Sequence, residues 1–441
     1  AQATPQLQLM GFRAVVLTLL IGPSLTIDNG LGQTPPLGWR SWNLFGGNVN
    51  QKLMEGIMDG MVSKKRSVDG VPTSLCDLGY CDVGLDDNWQ VCSGGMKKYS
   101  YHDDSGRSIV DTARFPDMAA MTAHAHSLGL KAGWYHNNCI CSEKTATRSM
   151  YEKDVDSLVN LYHFDAVKLD GCGKQLDLDL WAELINKTGR PVTIENCHWG
   201  KTVPNATWCP WNFFRTSGDV HASYQSIMSN LQTTVQWAQK NLSRPGCWAY
   251  PDMLEVGCAH GAGGALDPGL TITEARSHFG AWCIVSSPLV LSHDVNNDTM
   301  TDAIWPIITN REAIAVNQAW HGHSGSPFKQ SDKLVHWTRQ GADADSDVIS
   351  LPEWQYFYKP LGIGQIAVLL LNHAGGPRQI NVSFADVPGL SCTLCHVRDV
   401  WQRADWPGRF DGYAVELAAS DSVFLILTDP LKLEVPMAIV V

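Results

Sequence analysis

The sequence has little charge, and less positive charge than negative. Charged residues make up 17% of 441, and 33 Lys and Arg stand against 44 Asp and Glu, for a formal net charge of −11. Binding to phosphate backbones wants a basic surface, so this balance excludes a nucleic-acid partner. Long hydrophobic runs are also missing. AVVLTLLIG (14–22) is the longest near the start, too short to span a bilayer, and no later run is long and apolar enough to do so. Internal repeats and low-complexity tracts are absent. GAGGAL (261–266) is glycine-rich but neither follows a strand nor opens a helix, so it does not read as a phosphate loop. Cys392-Thr-Leu-Cys395 has no second CxxC beside it, so a local disulfide is expected there rather than zinc or redox chemistry. His124 and His126 lie two apart on a helical stretch and so do not share a face, which leaves no metal-ligand set. No metal and no organic cofactor is expected.

What is present points to export. Met10 and Arg13 precede the apolar run, and polar TIDNGLGQ follows, which reads as a leader with a signal peptide over residues 1–32, cleaved between 24 and 33. Asn-x-Ser/Thr sequons stand at Asn186, Asn205, Asn241, Asn297 and Asn381. The expected route is secretory, ending outside the cell, in the cell wall or in a vacuole or lysosome, with no membrane attachment after cleavage. Thirteen cysteines leave at least one unpaired, and Cys283 in the apolar GAWCIVSS is expected to be a buried free thiol. Cys247 and Cys258 flank one strand and are able to pair. Of Cys76, Cys81 and Cys92, at most two pair together.

Beyond the leader, strand-like and helix-like stretches alternate. The strands are 36–42, 80–87, 131–137, 166–171, 191–197, 212–219, 248–254 and 284–292. Helical spacing of apolar residues marks 52–63, 116–129, 152–163, 178–188, 223–239, 271–282 and 308–320. Eight strands alternating with helices predict an α/β fold, a (β/α)8 TIM barrel over residues 33–325. From about 331 the segments become short and alternating, which predicts a C-terminal antiparallel β-sandwich over residues 326–441. Its tryptophans Trp337, Trp354, Trp401 and Trp406 are expected in the core.

In such a barrel the reactive groups gather at the carboxyl ends of the strands. The fourth strand, DAVKLDGCG (165–173), carries Lys168 and Asp170 two residues apart, hence on one face. Lys168 is expected to keep Asp170 ionised as a nucleophile. Asp219 follows Arg215 by four residues beyond a Ser-Gly turn, a place where a raised pKa would suit a general acid. Asp86 and Asp87 are expected to bind hydroxyls, with aromatics such as Trp42 and Tyr135 covering apolar sugar faces. Carboxylates and aromatics at strand ends are what sugar cleavage needs, and two carboxylates about 5 Å apart imply retention of anomeric configuration.

TPPLGWRSWN (34–43), LDDNW, DTARFPDM, KLDGCG, PDMLEVG (251–257), SSPLVLSHD and AVNQAW together resemble glycoside hydrolase family 27, the α-galactosidase and α-N-acetylgalactosaminidase family. RDVWQ and AVELAASDSVFLILT extend the resemblance into the sandwich. ENCHWG…WCPWNFFRTSGD looks most like a plant and algal branch that includes α-galactosidases and β-L-arabinopyranosidases. The resemblance implies that Asp170 is the nucleophile and Asp219 the acid/base. It places Trp42, Asp86, Asp87, Tyr135, Lys168, Arg215 and Asp252 on the sugar, with Met253, Cys172 and His198 beside them. It pairs Cys172 with Cys139 or Cys141, and Cys197 with Cys209. His198 replaces a family glutamate that recognises the sugar's 2-position, and the small residues that admit a 2-acetamido group are not supplied. Asp86, by resemblance a contact for the 4- and 6-hydroxyls, favours galactose.

The expectation is a retaining exo-glycosidase acting on terminal α-D-galactosyl residues of a carbohydrate partner. A homodimer is allowed. The alternatives are another sugar, such as a β-L-arabinopyranoside or an α-glucan, and an inactive sugar-binding glycoprotein on the same fold.

Overall fold

The structure is a computed structural model, and it describes residues 25–27, 29–92, 100–258, 269–339 and 347–432. The apolar run 14–22 and the GAGGAL loop lie outside these. Eight parallel strands form the barrel: β1 Leu37–Arg40, β2 Asp82–Gly84, β3 Lys131–His136, β4 Ala166–Asp170, β5 Thr193–Cys197, β6 Phe213–Arg215, β7 Trp248–Tyr250 and β8 Leu289–Leu291. They hydrogen-bond in the order β7-β6-β5-β4-β3-β2-β1-β8. The Leu254 amide donates to the Val290 carbonyl at 2.8 Å and links the two ends of the row. Every barrel strand foreseen in the sequence is present.

The helices are α1 Trp42–Phe45, α2 Gln51–Val62, α3 Met118–Ser127, α4 Arg148–Asp156, α5 Leu178–Lys187, α6 Tyr224–Gln232, α7 Val235–Gln239, α8 Ile272–Ile284, α9 Asp298–Ile308 and α10 Arg311–Gln318. Asn50, Asp117, Thr147, Asp177, Ser223, Thr271, Asn297 and Asn310 each cap a helix with a side-chain oxygen. Two expected helices differ most from their ranges, and one helix was not foreseen. Thr147 starts α4 four residues early, and the helix runs on into a π-helical turn over Ser157–Leu161. The expected helix 223–239 breaks where the Thr233 and Thr234 hydroxyls bond back to the Asn230 and Leu231 carbonyls. The sequence reading missed α9 altogether.

The barrel interior has two halves. Phe213, Trp248, Tyr250, Met253 and Val290 form an apolar column, with Trp42 and Trp320 packed against it. The other half is polar, with Arg40, Asp86, Lys168 and Glu195 all buried. Alternation sends Val167, Leu169, Ile194, Phe214 and Ala249 outward into the main core beneath the helices. Residues before the expected start at 33 also belong to the barrel. Ile27 is buried and its amide bonds the Cys209 carbonyl, while the Trp248 indole donates to the Gly32 carbonyl.

The C-terminal part is antiparallel throughout. Its strands are β9 Ser326–Gln330, β10 Leu334–Arg339, β11 Asp347–Pro352, β12 Trp354–Gly362, β13 Gln365–Asn372, β14 Arg378–Ser383, β15 His396–Asp399, β16 Ala404–Asp405, β17 Gly412–Leu417 and β18 Ser422–Thr428. Six make one sheet in the order β9-β12-β13-β18-β15-β16, while β10–β11 and β14–β17 are separate pairs. Ile366, Val368 and Leu370 face β14 and β17 in a second core, whereas Ala367, Leu369 and Leu371 join the barrel's core. A side chain at Gly280 of α8 would meet Trp401 at 2.8 Å, so glycine there lets the sheet lie close. The four sandwich tryptophans are half-buried against these cores.

Candidate active site

One pocket at the carboxyl ends of the strands is lined by Trp42, Asn43, Asp86, Asp87, Tyr135, Cys139, Lys168, Asp170, Trp199, Arg215, Asp219, Asp252 and Met253. It gathers all the expected site residues except Cys172 and His198. The backbone around it is strained. Asp252 has φ 100°, Asn88 76°, Asn137 60° and Trp199 50°, values that non-glycine residues seldom adopt away from sites that need them.

Asp170 is 4% exposed. Its carboxylate accepts from the Tyr135 hydroxyl at 2.8 Å and from the Gly171 amide at 2.6 Å. Lys168 lies on the same face but bonds Asp86, at 2.9 Å. Burial pushes the Asp170 pKa up to about 6, against the pull of Lys168, Tyr135 and Gly171. Lys168 therefore tempers the charge on Asp170 from a distance rather than as its ion-pair partner. Burial is the largest influence and works against the Lys168 charge, but Asp86 together with the other acidic groups around it, Glu195 and Asp170 among them, outweighs it and the ammonium stays protonated. Below lies an ion pair that sequence reasoning did not assign: Arg40 meets Glu195 at 3.0 Å and Asp86 at 3.7 Å.

Across the pocket one guanidinium holds two carboxylates. Arg215 Nη2 lies 2.9 Å from Asp219 Oδ1 and 2.9 Å from Asp252 Oδ2. Asp252 is buried and also accepts from the Val220 and Met253 amides. Burial raises its pKa to about 6, with Arg215 opposing and Asp219 adding. Asp219 differs, since its side chain is 59% exposed. Burial lifts its pKa somewhat, but the charge and hydrogen bond of Arg215 win and hold it low. The raised pKa expected for Asp219 is thus found on its partner Asp252.

Asp87 lines the pocket, yet its two oxygens accept from the Asn88, Cys139 and Ile140 amides and the Gln90 and Asn138 side chains. It holds the loop after β3 against the end of β2. His198 is buried and does not line the pocket, with Nδ1 at 2.8 Å from the Thr202 hydroxyl, and burial lowers its pKa to about 4. The next residue, Trp199, lines the pocket instead. Its left-handed backbone turns the chain at that point, a feature no residue pattern announces.

The disulfides are Cys76–Cys81, Cys92–Cys141, Cys139–Cys172, Cys209–Cys247 and Cys392–Cys395. Cys172 pairs with the first of its two expected partners, beside the pocket, and the 392–395 bridge is local as expected. The expected Cys197–Cys209 bridge is corrected. Cys197 follows Glu195 by two on β5 and so points into the barrel, 3.4 Å from Arg215 Nη1, while Cys209 faces Cys247. A Cys247–Cys258 bridge is excluded for the same reason. Cys197, Cys258 and Cys283 are buried free thiols. Among the described residues one group of metal-ligand atoms converges, Cys139, Asp170 and Cys172, but its two sulfurs are bonded to each other.

The profile of the family described as alpha galactosidase A matches residues 34–319, and that of the alpha galactosidase C-terminal beta sandwich domain matches 352–427. The chain belongs to glycoside hydrolase family 27. It is therefore a glycoside hydrolase. An α-galactosidase of Cyamopsis tetragonoloba is 30% identical over 388 residues, covering 86% of this chain and 82% of its own. The crystal structure of α-galactosidase I from Mortierella vinacea superposes with a TM-score of 0.72 at 26% identity, over 91% of this chain and 99% of its own. A β-L-arabinopyranosidase of the family from Geobacillus stearothermophilus shares the fold, with a TM-score of 0.72 at 18% identity over 91% of this chain and 98% of its own.

Proposed function

We propose that the enzyme removes terminal α-D-galactosyl residues from oligosaccharides or glycoconjugates by double displacement. The observation that carries this is the contrast between two carboxylates lining one pocket. Asp170 is buried and fixed by two donors, as a nucleophile must be, while Asp219 reaches solvent, where a leaving group departs and water enters. An Asp170 oxygen bonds the anomeric carbon as the glycosidic C–O bond breaks, and the Asp219–Asp252 pair, which holds one proton between its carboxylates, gives it through Asp219 to the departing oxygen. Water then delivers its oxygen to the anomeric carbon and a proton to Asp219, freeing Asp170.

Relatives named as α-galactosidases support the sugar, and so does Asp86, a short carboxylate held at the pocket by Lys168. The β-L-arabinopyranoside reading keeps the mechanism and loses only the C6 hydroxymethyl. His198 does not line the pocket, so neither reading draws a 2-hydroxyl contact from it. For location, we read the protein as a secreted or vacuolar glycoprotein. All five sequon asparagines are exposed, and ten cysteines are bridged, which an oxidising compartment allows.

The test is release of nitrophenol from nitrophenyl α-D-galactopyranoside and β-L-arabinopyranoside at acidic pH, by wild type and Asp170→Ala. Faster turnover of the galactoside, abolished in the folded variant, is expected. Turnover of the arabinoside alone would move the substrate, and an active Asp170→Ala would overturn the nucleophile.

A further inference from the structure

Asn137 lines no part of the pocket, yet it holds the turn that carries Asp170. It is fully buried just past β3, with a left-handed backbone. Its side-chain Nδ2 donates to the main-chain carbonyl of Asp170. Its Oδ1 accepts from the Gln175 amide at 3.0 Å, and its carbonyl accepts from the Gly173 amide at 3.3 Å. Three points on one turn, at 170, 173 and 175, thus converge on a single side chain and its own peptide. A Cβ on Gly173 would sit 2.2 Å from Asn137 Oδ1, so the close approach depends on glycine.

Behind Asn137 runs a chain of buried polar groups. The Tyr101 hydroxyl accepts from the Asn137 amide at 3.3 Å and donates to Gln175 Oε1 at 2.8 Å. Gln175 Nε2 donates to Asp154 at 2.6 Å. His102 closes the chain, with Nε2 at 3.0 Å from Asp154 and Nδ1 at 3.1 Å from Glu143. Glu143 also accepts from Ser100, and its main-chain carbonyl accepts from the Lys174 amide at 3.1 Å. Burying two carboxylates around one imidazole is costly unless they are partnered, and His102 bonds both Asp154 and Glu143; a second buried imidazole, His136, lies 3.9 Å from Asp154 with neither ring nitrogen hydrogen-bonded. The hydrogen bonds of this network brace its members against one another, and its ends meet the 170–175 turn at two places, Lys174 and Gln175.

We infer that Asn137, braced by the chain from His102 through Asp154 and Gln175, is the positioning residue that sets where Asp170 stands for attack. The inference rests on Asp170 being the nucleophile. Asn137 acts through the Asp170 backbone and not on the sugar. A misplacement of the attacking oxygen should therefore slow bond formation without weakening sugar binding.

The experiment measures covalent labelling by a galactose-configured cyclitol epoxide, whose ring is opened by the nucleophilic carboxylate. The maximal labelling rate and the half-saturating concentration are read separately, and the labelled residue is found by mass spectrometry. Asn137→Ser should slow the maximal rate by about tenfold or more, since misplacement of the order of 1 Å can cost about 100-fold. Its half-saturating concentration should stay at the wild-type value. Gln175→Met cuts the brace and leaves Asn137 in place. It should slow labelling in the same direction, and the double variant should be no slower than Asn137→Ser, because both act through one contact. Folded Asn137→Ser that labels at the wild-type rate, or that changes only the half-saturating concentration, would overturn the inference. If Asn137→Ser does not fold, Gln175→Met decides, and a wild-type rate there overturns it. Wild type labelled at a residue other than Asp170 would sink the nucleophile assignment instead.

Discussion

Asp170 shows what a reactive position costs. Its carboxyl is buried, and its pKa of about 6 lies above the ordinary 3.8. The folded state therefore holds this proton more tightly than the unfolded chain. Its stability contribution is full below about pH 4 and is lost as pH rises through 6. Asp170→Asn removes the ionisation and should raise Tm relative to wild type above pH 6, by an amount worth up to ~3 kcal/mol, with no gain near pH 3. A gain that does not change with pH would locate the strain elsewhere. Asp252 poses the matching question for the acid. It shares Arg215 with Asp219, and the two carboxylates hold one proton between them, which rests on Asp252 in the free enzyme and reaches the leaving group through Asp219. Asp252→Asn should therefore move the alkaline limb of kcat/KM to lower pH, by about one unit. The opposite shift in a pH–rate profile would refute the shared-guanidinium account. The two carboxylates proposed as the catalytic pair and most of the pocket residues were legible in the sequence, Lys168 and Asp170 through strand alternation and those beyond the strand ends through motifs that resemble the family. His198 and Trp199 were not, since Trp199, with its left-handed backbone, lines the pocket and His198 does not.

At the level of elements, strands were read more surely than loops. Each barrel strand is a short apolar run with its own ends, whereas α9 begins on a capping Asn297 amid polar residues and carries Pro306. Loop crosslinks were harder still. The thirteen cysteines form five bridges and leave three thiols, and the choice between Cys197 and Cys247 as partner of Cys209 depends on a face, not a spacing. Thiol titration should find none reactive in the native protein and three after denaturation without reductant. Peptide mapping should place them at Cys197, Cys258 and Cys283. One thiol after denaturation would mean that two of these three cysteines are bridged, and the mapping would show whether Cys197 is one of them.

At the scale of the whole molecule, the barrel and the sandwich share a core. The sequence shows this as GQIAVLLLN, an apolar run without alternation, because β13 is covered on one face by the sandwich and on the other by the barrel. That two-faced burial was not drawn from the sequence, where the run read only as one more strand. Lys359 on β12 belongs to this junction. It is fully buried and donates to the Val316 and Asn317 carbonyls at the end of α10. Burial lowers its pKa from 10.5 to about 7. Between these values the unfolded chain binds the proton more tightly, so the group's share of stability is lost as pH falls toward 7 and regained as pH rises. Lys359→Met has no proton to bind. Relative to that variant, wild type should gain stability between pH 7 and 9, by about 2 kcal/mol, read as the difference in denaturation midpoints at the two pH values. A difference that stays constant would mean that Lys359 remains charged in the folded protein, held as an ammonium by the two carbonyls.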